Sequence, residues 1–487
     1  MDEYLAPVPR GLHKVAISAI QRELSNYELN IVVVAEPVDD EAEYYRYLQQ
    51  QLGGQKGVFG SLFDYKYLKQ HVSVGYSDEE SIWTVSGILP GCVWLHITTN
   101  APAKKVYGIT VIGPLLACAK LWNLKDPLNC SDVDDAVRDF QRIVEKDNYR
   151  ICRALNLWKR HAQCWPDYQV PKNDEKLTFR VSCVRAHSKN YKYDREEFLR
   201  RTVDIIIPKG DGYAVNLSNY DFEMVLFILN PSCLAIAVML RPNQLLGTKG
   251  FNSNNLPSDT SPPNLPGNLT GQLTRLRPTT AHLLHELADI QRGEIVLDPC
   301  AGIGTIPFHV GSNGIGLGGD ICLEPQSNNV ETKASLEYIQ KFGPQNRNTN
   351  ICAWDAGCLP IRTASIDVVV SDLPFGKQCL SSKKLTTVLP IWFSELARIL
   401  RPGSGRMVLL CGAHKCIVKS LQEPHGNVRQ NWDITSVFPV NISGLLAWIV
   451  MVRRGDQAAA VQVPNYKDRL RKHTARREQG RKRRRKS

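Results

Sequence analysis

The sequence predicts an α/β protein whose carboxyl-terminal half forms a doubly wound, parallel sheet and whose amino-terminal half is of the α+β type. In residues 294–412, apolar runs of strand length alternate with amphipathic helical segments, and the connections are short. Between the halves, the stretch from about Pro242 to Gln272 is rich in Pro, Gly, Ser and Asn. It has almost no apolar periodicity, which is typical of a linker.

The carboxyl-terminal half is predicted to contain five strands, a helix after the glycine-rich turn that follows the first strand, and two further helices. The strands are EIVLD at 294–298, GIGLGGD at 314–320, NICAWD at 350–355, IDVVVSD at 366–372 and GRMVLLCG at 405–412. The two further helices are 324–343, which ends at a glycine, and LPIWFSELARIL at 389–400, which ends before a Pro-Gly pair. Right-handed crossovers between such strands predict parallel pairing.

The amino-terminal half has a less regular pattern. Residues 11–34 predict a helix followed by a strand, and residues 177–240 predict short strands mixed with helices. Residues 39–171 contain strand-like and helix-like segments whose order the pattern does not define.

Composition and charge limit the class of protein. The chain has 487 residues, of which 43% are hydrophobic and 22% charged, and no apolar run of transmembrane length occurs, so we expect no membrane partner. Fourteen cysteines are scattered without a CxxC pair, which favours free thiols in a reducing compartment and predicts no intrinsic metal site.

Residues 467–487 carry twelve Lys or Arg against two acids. Such a tail is expected to be disordered and to act as a nuclear address, a polyanion-binding arm or a solubilising end. We expect a cytoplasmic protein, with the nucleus as the alternative that the tail favours.

DPCAGIGTI at 298–306 lies where the first strand leads into a helix. Gly302 and Gly304 allow a tight turn and a close approach to a ligand. The motif is neither GxxxxGK[ST] nor GxGxxG, so no phosphate site is predicted.

Acids end three consecutive predicted strands: Asp298, Asp320 and Asp355. Open α/β sheets bind ligands at this edge, where Asp320 could accept hydrogen bonds from ribose hydroxyls. Asp355, beside Ala356, could meet an adenine amino group, and Asp298 suits a cationic amino group. Without a phosphate site, this set favours S-adenosylmethionine over a dinucleotide. The alternative is that these acids cap helices.

SDLPFGK at 371–377 is an unusual way to leave a buried strand. A planar exocyclic amine is a poor nucleophile, and the carboxylate of Asp372 with the carbonyl of Leu373 could orient it and stabilise its developing charge. Pro374 would make the chain rigid, and Phe375 would offer a face for an unstacked base. The alternative is a strand-to-loop turn with ordinary Pro and Gly punctuation.

Together, DPCAGIGTI, GGD, WDAGCLPIRT and DVVVSDLPFGK resemble the Rossmann-like, THUMP-domain-containing RNA guanine-N2 methyltransferases. The family's amine-binding motif is usually [Asp/Asn/Ser]-Pro-Pro-[Tyr/Phe], and its eukaryotic guanine-N2 branch has DLPFG or DIPFG, as here. The resemblance covers about residues 273–455 and is looser over 177–240, where FRVSCVRAHS resembles the start of a THUMP domain.

The resemblance implies a Rossmann-like S-adenosylmethionine-dependent methyltransferase domain preceded by an α+β ferredoxin-like/THUMP RNA-binding region. The implied segments are 1–165 (ferredoxin-like), 166–242 (THUMP-like), 243–272 (linker), 273–455 (methyltransferase domain) and 456–487 (basic disordered tail). The implied cofactor residues are Asp298, Cys300, Gly302, Gly304, Asp320, Asp355 and Ala356, and the implied catalytic residues are Asp372, Leu373, Pro374 and Phe375.

The implied activity is methylation of the exocyclic N2 amine of a guanosine in the acceptor-stem region of tRNA, giving N2-methylguanosine. A small zinc-ribbon activator subunit is an implied partner. Two alternatives stay open: the same chemistry on a small nuclear RNA or another nucleic acid, and a non-catalytic RNA-binding protein with a relic methyltransferase fold. Basic residues interleaved with tyrosines suit RNA backbone contacts, although an ordinary solvated surface explains them equally well. They are Arg180, Arg185, Lys189 and Lys192.

Overall fold

The computed structural model describes two compact units, one built mainly from residues before 241 and the other mainly from residues after 275. The described residues are 1–9, 11–34, 92–108, 116–123, 130–146, 151–164, 176–185, 192–207, 212–217, 220–229, 233–240, 276, 278–310, 314–323, 336, 339, 348–375, 382–422, 432–442 and 445–456. Within these ranges, no helix has both the length and the apolar character needed to cross a membrane.

The first unit is an eight-stranded sheet with helices. Its strands are β1 (Asp2–Pro9), β2 (Leu29–Val34), β3 (Cys92–Thr99), β4 (Leu116–Asn123), β5 (Leu177–Arg185), β6 (Tyr213–Val215), β7 (Phe222–Leu229) and β8 (Cys233–Met239). Its described helices are α1 (His13–Glu23), α2 (Ala103–Gly108), α3 (Val133–Lys146), α4 (Ile151–Ala162) and α5 (Arg195–Ile206).

The strand order in this sheet is β2-β3-β1-β4-β8-β7-β5-β6. β1 runs antiparallel to both β3 and β4, whereas β5 is parallel to β6 and β7. The helix and strand predicted over 11–34 are confirmed as α1 and β2. Strands from the predicted segments 1–165 and 166–242 share one sheet, because β4 pairs with β8. The boundary between those segments stays a prediction.

The second unit is a seven-stranded sheet. Its strands are β9 (Glu294–Asp298), β10 (Gly314–Asp320), β11 (Thr349–Ala353), β12 (Val368–Asp372), β13 (Arg406–Cys411), β14 (Trp432–Ile442) and β15 (Leu445–Arg454). Its described helices are α6 (Pro278–Ala288), α7 (Thr305–His309), α8 (Ser382–Ile399) and α9 (His414–Gln422), with a 3₁₀ turn at Ile321–Leu323.

The order of the second sheet is β11-β10-β9-β12-β13-β15-β14. All pairings from β11 to β13 are parallel, and β15 is antiparallel to β13. The predicted doubly wound parallel sheet is therefore confirmed. From β9, the next two strands in the chain, β10 and β11, lie on one side, whereas β12 and β13 lie on the other. The strand order therefore reverses between β9 and β12, and open α/β sheets bind ligands at such a point.

Two predicted helices of this unit have different outcomes. α8 begins at Ser382, seven residues before the segment predicted from 389–400, and contains Pro390. Proline usually occurs in the first turn of a helix or disrupts the helix interior. For this reason the sequence prediction started the helix at residue 389, next to Pro390. The helix predicted over 324–343 lies outside the described residues, apart from residues 336 and 339. The linker and almost all of the basic tail also lie outside them.

A buried ion pair on α8 holds the loop that follows β11. Arg398 donates to Glu395 Oε2 at 2.9 Å and to the carbonyls of Leu359 and Ile361 at 3.0 and 2.6 Å. Glu395 Oε2 also accepts the backbone N–H of Leu359 at 3.1 Å. Only 7% and 4% of the Arg398 and Glu395 side chains are exposed. This network fixes the segment that begins at Asp355.

We predict that Glu395→Ala lowers the free energy of unfolding by about 3–5 kcal/mol, because it leaves the buried guanidinium of Arg398 without its anion. Glu395→Gln should cost less, since its carbonyl oxygen can still accept the Leu359 N–H. Urea unfolding followed by circular dichroism measures both. Ser394→Ala, an exposed position on the same helix, is the control and should change stability by less than about 0.5 kcal/mol. Equal losses in Glu395→Ala and the control would contradict the prediction.

Candidate active site

Four carboxyl groups converge at the carboxyl edge of the second sheet. Asp298, Asp320 and Asp372 are the last residues of β9, β10 and β12, and Asp355 follows β11 by two residues. Parallel pairing brings the ends of neighbouring strands to one edge of the sheet. The pKa of the Cys300 thiol is raised well above its usual value, first by burial and then by the charges of the four carboxylates. The thiol therefore lies near all four groups. The structure thus brings the predicted acids together.

Asp298 is the most deeply buried of these acids, with 2% of the residue exposed. Its Oδ1 accepts the backbone N–H of Cys300 at 3.0 Å and the hydroxyl of Ser371 at 2.7 Å. The pKa of Asp298 is raised to about 8, mainly by burial; the hydrogen bonds from Ser371 and Cys300 oppose this rise, and the nearby Asp372 and Asp320 contribute to it. Asp298 therefore connects the glycine turn to β12. Ser371, which the sequence reasoning did not single out, makes that link.

The glycine turn is held rigidly and leaves space above it. Gly302 and Gly304 have φ values of 54° and 90°, in the left-handed region that favours glycine. The N–H of Gly302 donates to Asp320 Oδ2 at 3.1 Å, and the N–H of Ala301 donates to the carbonyl of Gly319 at 2.9 Å. A Cβ at Gly302 would meet no atom of the described residues within 4 Å, so a ligand can approach the backbone there.

The third strand contributes Asp355 and a tryptophan that was not predicted. Asp355 Oδ1 accepts the N–H of Gly357 at 2.7 Å, and Ala356 beside it is buried. The indole of Trp354 lies against Gly319, where a Cβ would collide with it, and its Nε1 donates to the carbonyl of Pro299 at 3.2 Å. The two adjacent glycines before Asp320 were the signal that a large ring packs on β10.

Three of the four acids use one oxygen to hold a loop. Asp298, Asp320 and Asp355 accept N–H groups from Cys300, Gly302 and Gly357, and none of these donors lies in a described helix. These three contacts hold loop backbone and are not α-helix caps.

Asp372 differs from the other three acids. Its Oδ1 is buried and has no hydrogen-bond partner among the described residues, and burial raises its pKa to about 7. Leu373 is buried, and its N–H donates to the carbonyl of Leu410 at 2.9 Å, which ties the DLPF segment to β13. Pro374 is half-buried, and the ring of Phe375 lies so close to Gly412 that a Cβ there would be 2.7 Å from Phe375 Cδ1. An unpartnered buried carboxylate oxygen on an anchored strand end is suited to accept a ligand N–H.

The predicted RNA-binding residues do not form one described cluster. Arg180 donates to the buried Glu223 at 2.9 Å and lies 4.5 Å from the centre of the Tyr220 ring. The Arg180 guanidinium is therefore bound to an acidic and an aromatic side chain of the first unit. Lys192 is exposed, whereas the side chain of Arg185 and the whole of Lys189 lie outside the described residues. RNA binding by this set stays a prediction.

The strand order of the second unit is that of a Rossmann-like methyltransferase fold. Residues 334–447 match the family described as "UPF0020: RMKL-like, methyltransferase domain". The fold of the chain is similar to that of the crystal structure of TrmN from Thermus thermophilus, with a TM-score of 0.53, 13% identity and coverage of 93% of this chain and 100% of that one. At that identity the likeness shows the fold alone.

Two curated relatives support the resemblance to guanine-N2 methyltransferases, which is confirmed. The mouse "tRNA (guanine(6)-N(2))-methyltransferase THUMP3" is 30% identical over 289 residues, which are 58% of this chain and 52% of that protein. The bovine "U6 snRNA (guanine-N(2))-methyltransferase THUMPD2" is 25% identical over 323 residues, or 66% of this chain and 57% of that protein. The chain thus spans about half the length of the curated relatives it matches.

We predict that Asp298→Asn stabilises the protein increasingly as the pH rises from 4 to 8. The pKa of Asp298 is about 8 in the folded chain and about 3.9 when unfolded. Between these values the folded state binds a proton that the unfolded state lacks, so stability falls with rising pH. Asparagine removes this loss and keeps an acceptor for Ser371.

Calorimetric Tm values across this pH range test the prediction, with a gain of at least about 2 °C expected at pH 8. The exposed Asp433→Asn is the control and should leave the pH dependence unchanged. A variant whose Tm difference from the wild type is the same at pH 4 and pH 8 would show that Asp298 does not carry the proton.

Proposed function

We propose that the protein transfers a methyl group from S-adenosylmethionine to the exocyclic N2 amine of a guanosine in the acceptor-stem region of tRNA, giving N2-methylguanosine. The methyltransferase domain and the named activities of the relatives support this reaction class. The observation that carries the proposal is the buried Oδ1 of Asp372, which has no hydrogen-bond partner among the described residues and lies at the end of β12, the strand next to β9 and its acidic turn.

The crevice fits S-adenosylmethionine by the chemistry of its donors. When bound, this cofactor supplies an electrophilic methyl group on a sulfonium centre. Its positive charge would compensate the carboxylate of Asp298, whose pKa burial raises to about 8. Asp320 would accept the ribose hydroxyls, and Asp355 beside Ala356 would bind the adenine amine. The open space above Gly302 admits the ligand to the backbone.

The DLPF segment would orient the guanine. As a carboxylate, Asp372 would accept one N–H of the amine at Oδ1, and the carbonyl of Leu373 would accept the other. These contacts aim the nitrogen lone pair at the methyl group and stabilise the positive charge that develops on nitrogen. A pKa of about 7 then allows Asp372 to take the proton that the methylated amine releases. Pro374 would fix the segment, and Phe375 would pack against the base.

The second candidate substrate is U6 small nuclear RNA. The bovine relative that carries this substrate in its name aligns with a larger share of this chain than the mouse tRNA enzyme does. A nuclear location, which the basic tail favours, suits this candidate, whereas a cytoplasmic location suits the tRNA enzyme. A small zinc-ribbon activator subunit is proposed as a partner for either substrate.

Asp372→Asn should lower the rate of methyl transfer about 10²–10³-fold while changing the Kd for S-adenosylmethionine less than about threefold, because the lost charge acts on the amine. The wild-type rate should rise with pH up to about 7, as Asp372 ionises, and the variant should lack that rise. Single-turnover assays and calorimetry measure the two effects. Asp320→Asn is the matched comparison and should weaken cofactor binding instead. If Asp372→Asn abolishes cofactor binding, the assigned role is wrong.

The substrate is tested by incubating the full chain with methyl-labelled S-adenosylmethionine and either total tRNA or a U6 transcript, with and without a zinc-ribbon activator. Nucleosides are then separated and identified by mass spectrometry. Label in N2-methylguanosine from tRNA is the expected result. Label from U6 alone would establish the second candidate in place of the first. Cofactor binding without label in either RNA would overturn both.

A further inference from the structure

Three side chains with metal-binding groups lie side by side on the sheet of the first unit. They are Glu3 in β1, His96 in β3 and Cys118 in β4. β1 lies between β3 and β4, and its register pairs Glu3 with Thr98, two residues from His96. The register that pairs Tyr4 with Ala117 brings Cys118 beside Glu3. Alternation of side chains along a strand therefore places the three groups on one face.

The ligand atoms of these residues converge. One carboxylate oxygen of Glu3, one ring nitrogen of His96 and the Cys118 sulfur all lie within 4.8 Å of one another. Glu3 Oε2 is 3.4 Å from His96 Nε2, which has no hydrogen bond to any described residue although it is buried. Arg153 from α4 contacts the other oxygen, Glu3 Oε1, at 3.3 Å. Arg153 thus contacts one Glu3 oxygen, Oε1, while the other, Oε2, faces His96.

The set of donors matches one class of metal ion. A thiolate, an imidazole and a carboxylate are all ligands of Zn²⁺, and three protein ligands leave one tetrahedral position open. Ligands at Zn²⁺ bond lengths stand about 3.3–3.8 Å apart, so closing the site from the observed separations requires shifts of about 1 Å. The Glu3 and His96 side chains are 34% and 23% exposed, which gives water access to the open position. Cys118 is buried and forms the inner side of the site.

We propose that Glu3, His96 and Cys118 form a binding site for a divalent cation of the zinc class that links β1, β3 and β4, with water as the fourth ligand. Binding converts the Cys118 thiol to a thiolate and releases its proton to solvent, so affinity falls as the pH falls. The thiolate and the Glu3 carboxylate balance the charge of the ion. Arg153 orients Glu3 from outside the coordination sphere. The site lies in the first unit and is independent of the proposed methyl transfer.

Zinc content and a cobalt spectrum test the site on the full chain. The protein is stripped with a chelator, loaded with Zn²⁺ or Co²⁺ and freed of excess metal by gel filtration. We expect the wild type to retain one more equivalent of zinc than Cys118→Ala and than His96→Ala, and to show a thiolate-to-cobalt absorption band that both variants lose. Cys183→Ala is the matched control, because Cys183 is a similarly buried thiol in β5 of the same sheet.

Thermal unfolding gives a second readout. Zn²⁺ should raise the Tm of the stripped wild type and of Cys183→Ala, since a ligand of the native state stabilises it, and should leave that of Cys118→Ala unchanged. If Cys118→Ala or His96→Ala fails to fold, Glu3→Gln, which keeps the shape of the side chain, replaces it in both measurements. Equal zinc content and equal cobalt spectra in the wild type, Cys118→Ala and His96→Ala would overturn the proposal, because other thiols would then bind the metal. A wild type that retains no zinc would overturn it as well.

Discussion

Burial of several carboxyl groups where parallel strands end is the constraint on which the second unit depends. Burial in the low-dielectric crevice disfavours the charged form and raises the pKa values of Asp298 and Asp372 to about 8 and about 7. The hydrogen bond from Ser371 to Asp298 connects the end of β12 to the end of β9. The crevice is thus built at a cost in stability that a cationic ligand would offset. This is the arrangement expected of a binding site rather than of a structural core.

The rest of the unit keeps that crevice fixed. The glycine turn is connected to β10 through Asp320, and Trp354 connects it to β11. The buried Glu395–Arg398 pair holds the loop that carries Asp355, and β13 holds Leu373. Because all of these contacts anchor backbone or one carboxylate oxygen, the geometry of the crevice does not depend on a ligand. A preformed site of this kind suits a reaction in which orientation of a weak nucleophile is the main task.

The sequence predicted the second unit well, because parallel strands covered on both faces read as continuous apolar runs, and their ends are marked by Asp298, Asp320 and Asp372. It did not predict the network around them, since Ser371 and Trp354 act through neighbours distant in the chain. The first unit was harder to predict from the sequence, because its antiparallel pairings join segments that are remote in the chain. Arg180 was interpreted as an RNA-binding or solvated surface residue, although it forms an ion pair with Glu223 across the sheet. The Glu3, His96 and Cys118 set was missed for the same reason, since only strand order brings it together.

The most direct test of the acidic crevice is calorimetric titration of the full chain with S-adenosylmethionine at pH 7 in buffers of different ionisation enthalpy. A cationic ligand beside Asp298 lowers the raised pKa of that carboxyl group, so binding should release close to one proton, and the observed enthalpy should depend on the buffer. S-adenosylhomocysteine, which lacks the sulfonium charge, should release fewer protons. Binding without proton release, or with proton uptake, would contradict the assignment of Asp298 to the cofactor site.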